Sequence, residues 1–340
     1  MAVGDKPETT LLAVVCANGL GHFRRVIGVF DRLLAQRSVS LTIACEKWQI
    51  ERTATWPALQ RVQQRARFVY GVTQPGVQWR ARAHEYGEEL FTWENRLLEH
   101  TAQADIVVCD NLPGALAVRP DTVLMGSFLW ADVLEHAHGS SAEVRQLVAR
   151  DRALIAEHRP PMLCVGDIAM PAVLSSTAAV PLPWMCEKTG LPARALSADR
   201  PRVGVFGGAT GSASEVLEAA AKQLEGRYIV ERGGEAEARY ETYDLVVCRP
   251  GIGTVTGCIA DRVPMVLAYE PANLELAHNA ARLASLGVAL DCGTNAGAET
   301  IAEAVERALD PVRHRAASET MAQLGDGGLD AAARWLAAML

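Results

Sequence analysis

Cys248-Arg249-Pro250-Gly251-Ile252-Gly253-Thr254-Val255-Thr256-Gly257-Cys258 is a glycine-punctuated turn set between two apolar segments. The run before it, Tyr243-Asp244-Leu245-Val246-Val247, reads as a buried parallel strand, and Ile259 to Pro264 after it reads as the end of a short helix. A strand, a glycine turn and a helix start form a geometry that receives phosphate. The glycines let the backbone approach a ligand, and the first N–H groups of the helix have no intrahelical acceptor. Thr254 adds a hydroxyl donor. Many α/β domains carry such a turn with no ligand, so its meaning depends on the rest of the chain.

Outward from that turn the same unit recurs. Upstream, Arg202 to Phe206 is a strand and Gly207-Gly208-Ala209-Thr210-Gly211-Ser212 is a second glycine turn. A helix over 213–224 follows, with Ser212 or Ser214 as its cap. Downstream come a strand over 265–268, a helix over 274–285, a strand over 287–290 and a helix over 298–309, then two short helices from Ser318 to Leu340. In the first half, strands are expected at 11–17, 39–45, 67–71, 104–109 and from 122 to 125. Helices are expected from Phe23, over 85–101 and over 145–157. This alternation predicts doubly wound parallel sheets. The proline-rich segment from Val180 to Pro201 reads as the join between two domains. The division expected is 1–183, a linker at 184–201, 202–318, and helices at 319–340 packing back on the first domain.

With 340 residues, 49% of them apolar and 21% charged, the chain is long enough for two cores. A net charge of −7 argues against a general nucleic-acid binder. There is no apolar run of the roughly 18–20 residues that a membrane span needs. The acids and proline of the opening residues do not read as a signal peptide, so the expected location is cytoplasmic. The eight cysteines are scattered without a CxxC pair and are expected as small buried hydrophobes in a reducing compartment; no metal site and no cofactor is expected. Between Arg52 and Arg82 stand six arginines and no acid (Arg52, Arg61, Arg65, Arg67, Arg80 and Arg82), interleaved with Trp56, Phe68, Tyr70 and Trp79. A solvated face accounts for them, and so does a docking surface for an anionic acceptor or a weak peripheral membrane contact.

In open α/β sheets ligands sit beyond the carboxyl ends of the strands. His22, Asp110 and the two glycine turns share that address. Two such turns suit a diphosphate, each helix start offering on the order of 0.3–1 kcal/mol to an anion. No Asp-x-Asp pair is present to hold magnesium. His22 has the chemistry of a general base, and Asp110 that of the group orienting it; the plain alternatives are a local helix-start contact and a turn carboxylate.

Three blocks together carry a resemblance. Gly19-Leu20-Gly21-His22-Phe23-Arg24-Arg25 resembles the Gly-x-Gly-His-x-x-Arg segment of nucleotide-sugar glycosyltransferases with two facing Rossmann-like domains, the GT-B superfamily. Asp244 to Leu290 is similar to its donor half, and Gly207–Gly211 to the glycine loop of the enzyme that adds N-acetylglucosamine to the peptidoglycan lipid intermediate; the UDP-glycosyltransferases are the other near family. The resemblance implies an interdomain cleft and an inverting, metal-independent displacement. In it, the acceptor lies on the first half near Asn18, Gly19, Gly21 and Arg24, and His22 acts as base with Asp110. The diphosphate is held by Gly207, Gly208, Thr210, Gly211, Ser212, Gly251, Gly253 and Thr254. Arg249, Glu270, Asn273 and Glu275 face donor sugar or ribose, and Asn279 matches the family's Asn-Ala pair. The donor implied is a nucleotide sugar, UDP-linked in most relatives; the acceptor is a small molecule or an anionic one. Two departures stand out. Gly257 replaces the glutamate that several relatives use on ribose, making Glu270 the candidate instead, and Cys248-Arg249-Pro250 replaces a histidine before the turn. A hydrolase in which His22 activates water, and a binding protein without catalysis, remain open beside transfer.

Overall fold

The computed structural model describes residues 9–74, 89–189, 196, 200–207, 214–233 and 240–340. The chain divides into two units. The first runs to Leu182 and takes back Leu329–Leu340; the second is Pro183–Gly328.

The first unit is built on seven parallel strands: β1 Thr10–Val14, β2 Ser40–Cys45, β3 Ala66–Tyr70, β4 Ile106–Cys109, β5 Val123–Met125, β6 Pro161–Val165 and β7 Ala178–Leu182. Their order is β3-β2-β1-β4-β5-β6-β7. Val14 pairs with Ala44 on one side and with Cys109 on the other, so the chain reverses direction across the sheet between β1 and β4. Ligands of doubly wound sheets sit at such a reversal. The second unit contains β8 Arg202–Phe206, β9 Ile229–Arg232, β10 Leu245–Cys248, β11 Met265–Tyr269 and β12 Ala289–Thr294, ordered β12-β11-β10-β8-β9 and all parallel. Its reversal lies between β8 and β10, the two strands that precede Gly207 and Gly251.

Strand periodicity explains the second core. Alternate residues Val203 and Val205, Leu245 and Val247, Val266 and Ala268 share one face of the sheet. Leu217, Ala220, Ala221 and Leu224 of helix Ser214–Leu224 cover it, with Ile301, Val305 and Ala308 of helix Ala298–Ala308. Their i, i+3, i+4, i+7 spacing puts each set on one helical stripe.

Several expected boundaries move. Helix Leu20–Gln36 begins before Phe23, so Gly21 and His22 belong to its first turn. The segment expected as one helix over 85–101 is helix Glu89–Thr92, a 3₁₀ stretch Trp93–Leu97 and helix Leu98–Ala102; residues 85–88 lie outside the described set. Helix Trp130–His138 was not expected at all, being short and leading directly into helix Ala142–His158. Val180 to Leu182 is strand rather than join: β7 is the edge of its sheet, where the missing N–H of Pro181 is tolerated. The tail helices are Pro311–Gln323 and Gly328–Ala337, the first starting well before Ser318 because Asp310 caps it through Val312 and Arg313 N–H. All eight cysteines are free thiols and seven are buried.

Candidate active site

In the first unit the strand order brings together residues that lie far apart in sequence. The N–H of Asp110 donates to Val14 O at 2.7 Å, which ties the end of β4 to the end of β1. Asp110, fully buried, then reaches the first turn of helix Leu20–Gln36, where His22 Nδ1 lies 2.9 Å from its Oδ2. Arg25 Nη2, also buried, donates to Asp110 Oδ1 and stands 3.2 Å from His22 Nδ1. Burial works against charge on Asp110. The Arg25 guanidinium and then His22 outweigh it and hold the carboxyl below the usual carboxylate range. The stability this contributes is present above about pH 4 and is lost as acid protonates the folded carboxyl.

Aromatic rings wall the imidazole. Trp130 stacks on it at 6.1 Å and 29°, and Phe128 meets it edge-on at 6.1 Å. They come from the segment after β5, pinned where Ser127 Oγ accepts from Val165 N–H and Ser127 O from Met170 N–H. Asn111, next to Asp110, sits in the left-handed region at φ 56° and is fully buried; neither of its amide atoms has a partner among the described residues. The loop before His22 is held by Gln49, whose Nε2 donates to Cys16 O at 2.9 Å and to Gly19 O at 3.1 Å. Burial and then the charge of Asp110 push the Cys16 thiol up to about 12, so it stays neutral. His22 Nε2 makes no hydrogen bond to a described residue. One ring nitrogen is therefore anchored and the other is not.

The expected acceptor-side residues Asn18, Gly19 and Gly21 lie at this helix start. Arg24 is half-buried on the same helix, but the arginine that joins His22 is Arg25. Positions i and i+3 share a helical face, whereas i+2 lies about 200° round. Gln49, Asn111, Phe128 and Trp130 were not found from sequence. Each matters through where β2, β4 and β5 end, which local spacing does not encode. In the basic stretch, Arg61 pairs with Asp31 at 2.6 Å and Arg65 donates to Leu34 O; Trp79, Arg80 and Arg82 lie outside the described residues.

In the second unit Gly207 ends β8, while Gly208, Thr210, Gly211 and Ser212 lie outside the described residues. Gly251 is the N-cap of helix Ile252–Asp261, and no side chain caps it. Gly253 and the buried Thr254 occupy its first turn, so N–H groups without intrahelical acceptors gather there. Asn279, buried on helix Leu274–Ser285, donates from Nδ2 to Pro250 O at 3.0 Å and fixes the turn. Arg249 and Glu270 are paired with each other as a fork, Nε to Oε2 at 3.0 Å and Nη2 to Oε1. Asn273 caps helix Leu274–Ser285 by accepting from Leu276 N–H, with Glu275 in that helix's first turn.

Gly257 has a structural reason as well. A Cβ there would lie 2.6 Å from Tyr240 Cδ2, because the buried Tyr240 ring lies against the helix at that position. Phe206 backs the ring at 5.3 Å. Gly257→Glu is therefore expected to destabilise the second unit by about 1–3 kcal/mol through overpacking. An unchanged midpoint in thermal melts of this variant would contradict the packing. Among the described residues no group of three His, Cys, Asp or Glu side chains is placed to hold a metal ion, and no helix is long and apolar enough to cross a membrane.

No protein-family model and no curated protein matches this chain. Solved structures do. A spinosyn rhamnosyltransferase is 13% identical with a TM-score of 0.65, over 97% of this chain and 100% of its own. The calicheamicin glycosyltransferase is 17% identical with a TM-score of 0.64, over 98% and 99%. Phytolacca americana UGT2, complexed with UDP-2-fluoro-glucose and pterostilbene, is 14% identical with a TM-score of 0.67, over 97% and 99%. At these identities the likeness establishes the fold: the chain has the two-domain GT-B architecture, each domain a Rossmann-like parallel sheet flanked by helices.

Proposed function

We propose that this protein is an inverting glycosyltransferase that moves a sugar from a nucleoside diphosphate donor to a hydroxyl or similar nucleophile of an acceptor. The observation that carries the reading is the His22–Asp110 pair at the chain reversal of the first sheet, with Nδ1 engaged and Nε2 open. In the reading, Nε2 takes the acceptor's proton as its oxygen attacks the anomeric carbon in line, and the glycosidic bond to the diphosphate breaks with inversion. The imidazolium formed is balanced by Asp110. The departing diphosphate is received by the N–H groups at the start of helix Ile252–Asp261 together with the Gly207–Ser212 turn, a role that asks no metal ion of the protein. With Glu270 forked to Arg249, the pair acts as one unit: Arg249 orients Glu270, which is assigned to donor hydroxyls.

The donor is assigned to the pyrimidine diphosphate sugars. One structural neighbour was solved with UDP-2-fluoro-glucose and another with thymidine diphosphate, so a UDP-sugar and a dTDP-sugar are the first to test. Seven buried free thiols suit a reducing compartment, and the cytoplasm is the assigned location.

The test is a thermal-shift series over sugar nucleotides, followed by assay of diphosphate release with and without acceptors. A donor at 100 times its Kd should add about 2.7 kcal/mol to stability. Release that depends on an acceptor supports transfer. Release without one would make the protein a hydrolase, binding without turnover would make it a carrier of the donor, and no shift with any sugar nucleotide would sink the reading.

A further inference from the structure

Arg25 has a role that the His22–Asp110 pair does not by itself explain. Its side chain is 5% exposed, and a buried guanidinium is costly unless it is paired and hydrogen-bonded. The charged groups set against the imidazole are Asp110 from the end of β4 and Arg25 from the same helix, and the rings of Trp130 and Phe128 lie beside it.

Two proton arrangements are open to such a cluster. If Nδ1 is bare, it accepts from Arg25 at 3.2 Å but then turns a lone pair toward the Asp110 carboxylate at 2.9 Å. If Nδ1 carries the proton, it donates to Asp110 Oδ2 at 2.9 Å, while Arg25 spends its donor on Oδ1. A guanidinium has donors only and a carboxylate acceptors only. The second arrangement gives Nδ1, Arg25 Nη2 and both Asp110 oxygens a partner of the right kind, and a charge-assisted bond is the stronger kind. Arg25 thereby holds Asp110 by one oxygen and leaves only the other to His22.

We propose that Arg25 is a positioning residue: it locks the Asp110 carboxylate so that His22 rests as the neutral Nδ1–H tautomer with the Nε2 lone pair available. Its meaning for catalysis rests on the transfer reading above; its effect on the tautomer does not.

The experiment is nitrogen-15 spectroscopy of the imidazole in the free, full-length protein, wild type against Arg25→Gln and Arg25→Lys, followed by kinetics with whichever donor turns over. The wild type should show a protonated Nδ1 and a bare Nε2. Arg25→Gln should shift and broaden the Nδ1–H resonances of His22, because the carboxylate that accepts from it is no longer held at its other oxygen. Its kcat should fall by about 10–100-fold, the range for losing a group that orients a functional histidine through one hydrogen bond, with donor KM little changed. Arg25→Lys, which keeps the charge without the planar fork, should lie between and carries the test if the glutamine variant does not fold. A His22 spectrum identical to wild type in the variant that folds overturns the proposal. Because that spectrum needs no substrate, the proposal can fail while transfer is confirmed, and can hold if no transfer is found.

Discussion

His22→Ala is expected to lower sugar transfer by about 10²–10⁴-fold while leaving donor affinity within about twofold. The loss follows from removing the group assigned to take the acceptor's proton. Donor affinity is spared because the residues assigned to the diphosphate, Gly251, Gly253 and Thr254, belong to the second unit and the His22–Asp110–Arg25 cluster to the first. Asp110→Asn, which keeps the shape but removes the charge that balances the imidazolium, should fall in the same direction. Steady-state rates paired with calorimetric binding of the donor separate the two quantities. If rate and donor affinity fall together, His22 is not a base but part of the donor site, and the assignment of roles to the two units is wrong.

Asp151→Asn is expected to stabilise the protein at pH 8 by up to about 4 kcal/mol and to do almost nothing near pH 4. Asp151 lies on helix Ala142–His158, is 4% exposed, and has no hydrogen bond or ion pair among the described residues. Burial raises its pKa to about 7 against a smaller opposing pull from Arg150, whose guanidinium is engaged with Glu94. The sign follows from linkage. In the unfolded chain this carboxyl ionises near pH 4, while the folded protein keeps it protonated until about 7. The advantage of the protonated folded form is thus present at low pH and lost as pH rises through that window. A shift of roughly three units at about 1.36 kcal/mol each sets the ceiling. Asparagine keeps the shape and cannot ionise. Melting curves of both proteins from pH 4 to 8 should diverge as pH rises, and a difference that is constant across that range would show that Asp151 ionises as freely folded as unfolded. Since Asp151 is not part of the His22 cluster, transfer activity should be unaffected at pH 7.

The sequence by itself determined the alternation of buried strands and amphipathic helices, because strands covered on both faces read as continuous apolar runs such as Leu245–Cys248 and Ile106–Cys109. It also determined where the glycine turn before Ile252 falls and that His22 and Asp110 each follow a strand, since those are local facts of spacing. What only the tertiary structure decided is which of these positions meet. His22 and Asp110 stand 88 residues apart and touch because β4 pairs with β1, an order set by long-range packing and not by anything near either residue. The same cause forks Arg249 to Glu270, lays Tyr240 against Gly257 and lets Pro181 lie in an edge strand. Side-chain chemistry is written residue by residue, but a site forms only where separate strand ends converge, and that convergence belongs to the sheet.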